Sequence, residues 1–336
     1  MISVIRDRQV ASVTVRAPAK VNLHLGVAGL RPDGFHELVN VFQAVSLFDE
    51  VTVSRSDRLR VTVSGTGTDR VPLDSSNLVW RAATALAARW GIAPAVHVHI
   101  DKCIPVAGGM AGGSADAAAA LVGCGALWGG PTQFTTLRHV AAQLGSDVPF
   151  ALAGGVAMGR GRGELLTSWA VRRPLHWAFA TVDEGLSTPA VFAELDRLRG
   201  ARHRIGDVPA GPLTAAAPEL AAAVMAGDAE SAGRALRNDL EAAAVSLRPA
   251  LGDVMRHGMA AGALRAMVSG SGPTVAFLAR DAAGAGAVAA SLRSAGLTAT
   301  TAYGPVPGAR VTNIADCPHR GAAVRGRTRT RKRGAA

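Results

Sequence analysis

One segment of this chain combines residue types and spacing that could bind an anion: Pro105-Val-Ala-Gly-Gly-Met-Ala-Gly-Gly-Ser-Ala-Asp116. Four of the six residues from Gly108 to Gly113 are glycine, which would be costly inside a helix or strand. The segment instead joins a strand-like alternation at 96–100 to an alanine-rich run that indicates a helix, with Ser114 or Asp116 as its expected cap. Backbone N–H groups at such a helix start attract negative charge, so phosphate is the expected ligand. The segment lacks the Gly-Lys-Ser/Thr ending of a P-loop, and its glycines do not follow the G-x-G-x-x-G order of a dinucleotide-binding fold. A plain flexible turn before a helix is the alternative.

Lysine is rare in this chain, and its positions are a second signal. Arginine carries nearly every positive charge, and lysine occurs only at Lys20, Lys102 and Lys332. Lys102 directly precedes the glycine-rich segment, and Lys20 lies within Pro18-Ala-Lys-Val-Asn-Leu23. A compact ammonium acts on phosphate as a point charge, unlike the planar guanidinium. We therefore expect Lys20 and Lys102 to contribute to phosphate chemistry, although chance placement would give the same pattern.

Size and composition indicate a globular protein of the cytoplasm. The chain has 336 residues, about half of them apolar, which is enough for one large core or two ordinary ones. No apolar run approaches the roughly 18 residues that span a bilayer, and the first residues do not form a signal peptide. The three cysteines, Cys103, Cys124 and Cys317, have neither metal-site spacing nor a paired framework, so reduced thiols are expected.

The charge of the chain is concentrated at its C-terminal end. The formal net charge is +11, and residues 320–333 carry seven basic residues and no acidic one. We expect residues 309–336 to form a basic, disordered tail that binds polyanions weakly and without sequence specificity. A protein that binds nucleic acid through this tail is the competing interpretation, but the small remaining charge of the body argues against a specific nucleic-acid interface.

The elements that must position these residues fall into two groups. The first third alternates as an antiparallel sheet does, and a helix is predicted from Asn77 to Gly91. Pro149 predicts an extended or turn geometry. A second unit begins beyond about residue 170, with a strand at 176–180 and a helix that begins at Thr188. Helices are predicted within 214–262. They are followed by a strand–turn–strand at 267–278, a helix at 281–295 and a strand at 297–303. The pattern predicts an α+β fold with domains at 1–168 and 169–308 that face each other across a cleft.

Three segments, Pro18–Leu23, Pro105–Asp116 and Ser269–Thr274, resemble in order and spacing those of the GHMP kinases, a family of small-molecule kinases. The resemblance covers residues 14–305 and lies in six motifs: Ala17-Pro-Ala-Lys-Val-Asn-Leu23, Arg31-Pro-Asp-Gly-Phe-His-Glu-Leu38, Pro105–Ala117, Leu144-Gly-Ser-Asp-Val-Pro149, Asn238-Asp-Leu-Glu241 and Ser269-Gly-Ser-Gly-Pro-Thr274. It implies an N-terminal mixed sheet with helices, similar to ribosomal S5 domain 2, and a C-terminal ferredoxin-like sandwich. It also implies an active site in the cleft between them and ATP with Mg²⁺ as the phosphoryl donor.

The resemblance assigns catalytic roles to Lys20 and Asp147. Phosphoryl transfer needs the attacking hydroxyl to be placed in line and the charge on the moving group to be stabilised. Asp147 would take or orient the hydroxyl proton, and Lys20 would hold this aspartate and offset the charge of the γ-phosphate. Without the resemblance, Asp147 is equally well explained as a turn residue before a proline.

The nucleotide-binding residues implied by the resemblance surround the glycine-rich segment. They are Pro105, Val106, Ala107, Gly108, Gly109, Met110, Ala111, Gly112, Gly113, Ser114 and Ala115, together with Asn77, Lys102, Gly270, Ser271 and Gly272. Ser114 is also the expected ligand of Mg²⁺. Asn77 could equally be a helix cap, and the Gly270–Gly272 turn is at the same time a tight hairpin.

The acceptor implied by the motif at 31–38 is a cytidine diphosphate-linked methylerythritol, phosphorylated on its 2-hydroxyl. Phe35 and Phe192 would stack on the cytosine, and His36 would read its edge. Asn22 and Thr188 would contact the hydroxyls or phosphates of the acceptor. The family often has tyrosine where this chain has Phe35, so a phenolic hydrogen bond is lost. Phe35 packed into the sheet and Thr188 as a plain helix start are the alternatives.

Two other functions remain open from the sequence. One is a GHMP kinase of the mevalonate or homoserine type, which would have no use for a cytosine-binding segment. The other is a GHMP-fold metabolite-binding protein without catalysis, which would lack the Lys20–Asp147 pair. The sequence is compatible with a monomer or a homodimer.

Overall fold

Two β-sheets with helices packed on them make up the part of the chain that the structure, a computed structural model, describes. The described residues are 10–31, 34, 36–130, 134–182, 185–200 and 217–316. Predictions for Phe35, for Cys317 and for the basic tail after residue 316 therefore lie outside them.

The strands and helices follow the predicted order closely. The strands are β1 (Val10–Leu30), β2 (His36–Arg55), β3 (Arg60–Gly65), β4 (Val96–Lys102), β5 (Val156–Arg160), β6 (Leu165–Trp169), β7 (Leu175–Thr181), β8 (Arg237–Asn238), β9 (Arg265–Val268), β10 (Val275–Ala279), β11 (Thr298–Gly304) and β12 (Arg310–Asp316). The helices are α1 (Leu78–Trp90), α2 (Gly112–Trp128), α3 (Phe134–Leu144), α4 (Val148–Ala153), α5 (Thr188–Arg199), α6 (Ala217–Ala226), α7 (Ala229–Ala235), α8 (Glu241–Leu247), α9 (Ala250–Ala260) and α10 (Ala282–Ser294). Within the described ranges no helix is both long and apolar enough to cross a membrane.

The larger sheet is built on a long antiparallel pair, β1 and β2, where the alternating sequence suggested several shorter strands. Its strand order is β12-β1-β2-β4-β3, with β5, β6 and β8 attached beside this path. The β1–β2 register shifts between Pro18 and Ala19 and again between Asn22 and His24. Such bulges bend a strand and redirect its side chains. Here they bracket Lys20 and Asn22, whose side chains both face the cavity described below.

Helix α1 begins and ends as predicted. The Asn77 side chain accepts a hydrogen bond from Val79 N at its start, and Gly91 adopts φ 66° at its end. The α2 prediction, in contrast, is wrong about the cap. Neither Ser114 nor Asp116 caps this helix; Ala111 is the N-cap residue, at φ 60° and without a side-chain hydrogen bond. No side chain therefore caps the first N–H groups of α2, and Gly112 and Gly113 in this first turn line the cavity described below.

The local geometry around Pro149 also differs from the prediction. Residues Val148–Ala153 form the short helix α4 instead of an extended segment or turn. A proline lacks the backbone N–H that the first helical turn leaves unpaired, so it is well tolerated there. The consequence is that Asp147 stands immediately before a helix.

The smaller sheet forms the second unit and is antiparallel throughout, in the order β11-β7-β10-β9. The last described strand returns to the first unit, because β12 pairs antiparallel with β1. The prediction that a tail begins at residue 309 is therefore wrong for residues 310–316. Backbone pairing with β1 holds this strand, and its mostly exposed side chains gave no core-like pattern in the sequence.

Candidate active site

A cavity of about 490 Å³ lies where the two sheet units meet, and it brings the three motifs together. Lys20, Asp147 and the turn residues Gly270 and Ser271 line it. The glycine-rich segment supplies Pro105, Val106, Ala107, Gly108, Gly109, Ala111, Gly112 and Gly113. The cleft that the sequence predicted is thus formed by residues that are far apart in the chain.

The phosphate-loop prediction rests on free backbone N–H groups, and the structure provides them. Val106 and Ala107 form a hydrogen-bonded turn. Within the described part of the chain, no N–H from Gly109 to Gly113 donates a hydrogen bond to a protein group. Ala107 and Ala111 adopt φ values of 56° and 60°, a conformation that costs a non-glycine residue about 1 kcal/mol. Such strained residues cluster at ligand sites. The loop is therefore shaped to present donors to an anion at the start of α2.

Lys20 lies between the glycine-rich loop and the part of the cavity that contains Asn22, Thr188 and Phe192. Its Nζ donates to Asn22 Oδ1 at 2.6 Å and to the carbonyl oxygen of Gly109 at 2.9 Å. The Lys20 side chain is 7 % exposed, and burial lowers its pKa below the ordinary lysine value, an effect that the Asp147 carboxylate opposes. Asn22 is fixed in turn, because its amide donates to Asn40 Oδ1 at 2.7 Å.

Asp147 offers its carboxylate to the cavity. The Oδ2 atom is 4.0 Å from Lys20 Nζ, and the side chain is 30 % exposed. Although Asp147 precedes α4, its side chain makes no capping hydrogen bond to that helix. The turn or cap role that competed with catalysis therefore does not occupy this carboxylate. The arrangement places one anion and one cation beside each other at the centre of the cavity.

Lys102 is held by a buried cluster of charged residues. Its Nζ donates to Asp116 Oδ2 at 2.8 Å and to Asp49 Oδ2, and only 2 % of Lys102 is exposed. The other oxygen of Asp49 accepts the N–H groups of Cys103 and Ile104 at 2.7 and 2.8 Å. Lys102 lines the cavity, but its charge is compensated by protein carboxylates.

The pKa values within this cluster follow from two carboxylates sharing one ammonium. Burial alone would lower the pKa of Lys102, but Asp116 and Asp49 more than offset it, and the pKa is raised. Burial raises the pKa of Asp116 well above the usual aspartate value, against the opposing effect of Lys102. Asp116 Oδ1 is buried and has no hydrogen-bond partner among the described residues. Asp49 was not predicted as a site residue; its signal in the sequence was a charged residue within the segment predicted to alternate as an antiparallel sheet.

One end of the cavity contains Asn77, whose side chain caps α1 and also lines the cavity. The cap is confirmed, and the contact with the nucleotide stays a prediction. Further lining residues at this end were missed by the sequence analysis: Arg70, Val71, Pro72, Ser76 and Leu78. Four of them lie in the segment before α1, and Leu78 is the first residue of that helix. Their only signal in the sequence was therefore their proximity to Asn77.

The other end of the cavity contains Asn22, Thr188 and Phe192. Thr188 Oγ1 is hydrogen-bonded to Ser271 Oγ at 2.9 Å, which connects this end to the glycine turn. His36 stacks on Phe192, with ring centroids 5.0 Å apart, and its Nε2 is 3.0 Å from Asp196 Oδ1. The lining residues that sequence reasoning missed here are Leu25, Leu38, Asn40, Arg162 and Leu240.

Some predicted site residues lie beside the cavity without lining it. Met110 and Ala115 are fully buried in the core. Ser114, Gly272 and His36 are likewise not among the lining residues. For Ser114 and Ala115, which lie in α2, the helical period explains this result, because only one face of a helix can face the cavity.

Comparisons with known proteins agree with this geometry. The family described as GHMP kinases N terminal domain matches residues 77–155, and that described as GHMP kinases C terminal matches residues 220–297. A 4-diphosphocytidyl-2-C-methyl-D-erythritol kinase of Streptomyces avermitilis is 56% identical over 303 residues, which cover 89% of this chain and 99% of that relative. The enzyme of the same description from Thermobifida fusca is 57% identical over 310 residues, covering 89% of this chain and 98% of the relative.

Solved structures show the same fold. A crystal structure of 4-(cytidine 5'-diphospho)-2C-methyl-D-erythritol kinase superposes with a TM-score of 0.69 at 31% identity, covering 86% of this chain and 98% of that one. A homoserine kinase from Cytophaga hutchinsonii superposes with a TM-score of 0.71 at 22% identity, covering 90% of this chain and 97% of that one. The second likeness concerns the fold alone.

Proposed function

The chain belongs to the family of 4-diphosphocytidyl-2-C-methyl-D-erythritol kinases, within the GHMP kinases, and we propose that Lys20 and Asp147 carry its phosphoryl transfer. It is an ATP-dependent kinase of isoprenoid biosynthesis that phosphorylates 4-diphosphocytidyl-2-C-methyl-D-erythritol. The observation that supports the residue assignment is the Lys20–Asp147 pair at 4.0 Å, located between the phosphate loop and the end of the cavity that contains Asn22, Thr188 and Phe192.

In the proposed reaction, Asp147, Lys20 and the phosphate loop each have one role. The 2-hydroxyl oxygen of the acceptor forms a bond to the γ-phosphorus, and the bond between that phosphorus and the β–γ bridging oxygen breaks, giving the 2-phosphate and ADP. Asp147 accepts the hydroxyl proton, and the Lys20 ammonium offsets negative charge on the transferred group. The free N–H groups of the loop hold the donor phosphates.

Magnesium is part of the proposal, because the residues at the start of α2 fit a hard cation. Such ions prefer oxygen ligands and keep several waters and substrate phosphates in their coordination shell. Asp116 lines the cavity, and its Oδ1 is a buried carboxylate oxygen without a hydrogen-bond partner among the described residues. The Ser114 hydroxyl, which lies beside the cavity and not in its lining, stays the predicted second ligand. Bound with ATP, Mg²⁺ would neutralise phosphate charge. A nearby cation would also favour the ionised form of Asp116.

For the acceptor, we propose that Phe192 and Phe35 enclose the cytosine and that His36 reads its edge. The stack of His36 on Phe192, a residue that lines the cavity, supports this proposal. Asn22 and Thr188 would contact hydroxyls or phosphates. The cytosolic location, the absence of specific nucleic-acid binding and a tail without a role in turnover also remain predictions.

The acceptor assignment is tested by measuring ADP release with ATP and Mg²⁺ for four acceptors. We expect turnover with 4-diphosphocytidyl-2-C-methyl-D-erythritol and rates near background with mevalonate, homoserine and galactose. A binding site built for a base gains nothing from acceptors that lack one. A higher kcat/KM for any of the other three would contradict the assignment.

The buried position of Lys20 predicts how activity depends on pH. Burial lowers the pKa of Lys20, so its ammonium is lost at a lower pH than that of an ordinary lysine. Because the charged form is the active one, we expect kcat to fall on the alkaline side below pH 10.5, the ordinary lysine pKa. The Lys20→Arg variant keeps its charge over this range. Its residual activity should lack the alkaline fall, and an identical profile for both proteins would assign the fall to another group.

A further inference from the structure

The turn Ser269–Pro273 contacts both the phosphate loop and the acceptor end of the cavity. Ser269 Oγ donates to the carbonyl oxygen of Gly109 at 3.2 Å, on the phosphate loop. Ser271 is hydrogen-bonded to Thr188 at the acceptor end. The turn therefore joins the donor side of the cavity to its acceptor side.

The same turn lies directly against Lys20. A Cβ atom built on Gly270 would be 3.3 Å from Lys20 Nζ, 3.4 Å from Asn22 Oδ1 and 3.2 Å from the carbonyl oxygen of Gly109. The backbone at Gly270 is thus one of the groups that bury the Lys20 ammonium. A small displacement of this turn would either expose the ammonium to water or press on the lysine side chain.

Asn238 holds this turn in place. Its Nδ2 donates to the carbonyl oxygens of Val268 and Gly270 at 2.8 and 2.7 Å, and its Oδ1 accepts from Leu240 N at 2.9 Å. Only 8 % of Asn238 is exposed. All three bonds use the amide in one orientation, so they fix the carbonyl group of Gly270 relative to strand β8.

Strand β8 is itself anchored to the strand that carries Lys20. Asn238 pairs with Leu25 in the parallel β1–β8 contact, and Leu25 follows Lys20 by five residues on β1. One amide side chain therefore connects β1 with the turn that covers the Lys20 ammonium. The two residues that this hydrogen bond joins are distant in the sequence, because Asn238 and Gly270 are 32 residues apart.

We propose that Asn238 is a positioning residue for phosphoryl transfer, acting through Gly270 on Lys20; this inference rests on the proposed function of Lys20. Asn238 touches neither substrate nor reacting atoms in this assignment. Loss of its amide leaves two buried carbonyl groups unpaired and lets the turn move. A misplacement of about 1 Å near the reacting groups can cost about 100-fold in rate.

The experiment compares Asn238→Ala and Asn238→Asp with the matched surface variants Asn313→Ala and Asn313→Asp. Asn313 is exposed on β12, far along the chain from the turn. We expect kcat to fall about 10- to 100-fold in both Asn238 variants, with smaller changes in the KM for ATP and acceptor, and no change in the Asn313 variants. Thermal unfolding of each variant separates loss of the fold from loss of turnover.

The alkaline limb of the kcat–pH profile gives a readout that a purely structural role would not move. In Asn238→Ala the loosened turn admits water to Lys20, so the limb should shift to higher pH. A folded Asn238→Ala protein with wild-type kcat and an unshifted limb would overturn the proposal. If the Asn238 variants do not fold, Ser269→Ala provides the second test, because it removes the contact between turn and phosphate loop. A wild-type rate and profile in that variant would then overturn it.

Failure of this inference is distinguishable from failure of the proposed function. The wild-type protein on the acceptor panel tests the function, and the ratio of variant to wild-type kcat tests Asn238. An active wild-type enzyme with active Asn238 variants contradicts the positioning role alone.

Discussion

The Asp147→Asn variant should lose about 10²- to 10⁴-fold in kcat, the range that a general base contributes. The amide keeps the shape of the side chain but cannot accept the proton of the acceptor hydroxyl. It also removes the carboxylate that raises the pKa of Lys20, so less of that lysine is charged at a given pH. Both effects lower turnover and neither removes a loop N–H group from the nucleotide.

Nucleotide affinity should therefore change little. Calorimetric titration with ADP and Mg²⁺, together with steady-state kinetics, separates binding from turnover. Asp57→Asn is a matched control, because Asp57 is an exposed aspartate outside the cavity lining. An Asp147→Asn enzyme within about threefold of the wild-type kcat would exclude Asp147 as the base.

The Lys102→Met variant should lose about 3–5 kcal/mol of the free energy of unfolding, the usual effect of removing one partner from a buried ion pair. Asp49 and Asp116 would remain buried without their cation. Urea unfolding monitored by circular dichroism measures the loss. Arg138→Met, an exposed cation on α3, should change stability by no more than about 0.5 kcal/mol.

The pH dependence of this variant has a defined sign. Burial raises the pKa of Asp116 in the folded protein above its unfolded value, and Lys102 opposes that shift, so removing Lys102 raises it further. The folded variant then binds more protons than the unfolded chain, and its stability increases as pH falls. The Lys102→Met/Asp116→Asn double variant should recover part of the loss. Additive losses in the double variant would show that the two residues do not interact.

The sequence by itself determined the features that depend on neighbouring residues. The glycines at 108–113 can form a loop with free N–H groups whatever the rest of the chain does, and Asn77 and Gly91 delimit α1 through local capping bonds. The order of the predicted strands and helices indicated a two-domain α+β fold, and the resemblance of the motifs to those of the GHMP kinases predicted a kinase. Local backbone preference accounts for the loop and the helix ends, and the catalytic roles of Lys20 and Asp147 came from the resemblance alone.

Tertiary structure decided which polar groups are taken out of water together. Lys102 was predicted as a nucleotide-binding residue, and its ammonium is paired with Asp49, 53 residues earlier in the chain, and with Asp116, which was predicted as a helix cap. In the same way, Ala111 adopts a left-handed conformation, and β12 pairs with β1 although the mostly exposed side chains of β12 gave no core-like pattern. These outcomes depend on long-range contacts. A buried charge or an unpaired backbone group is stabilised by whichever partner the packing brings to it, and spacing along the chain cannot specify that partner.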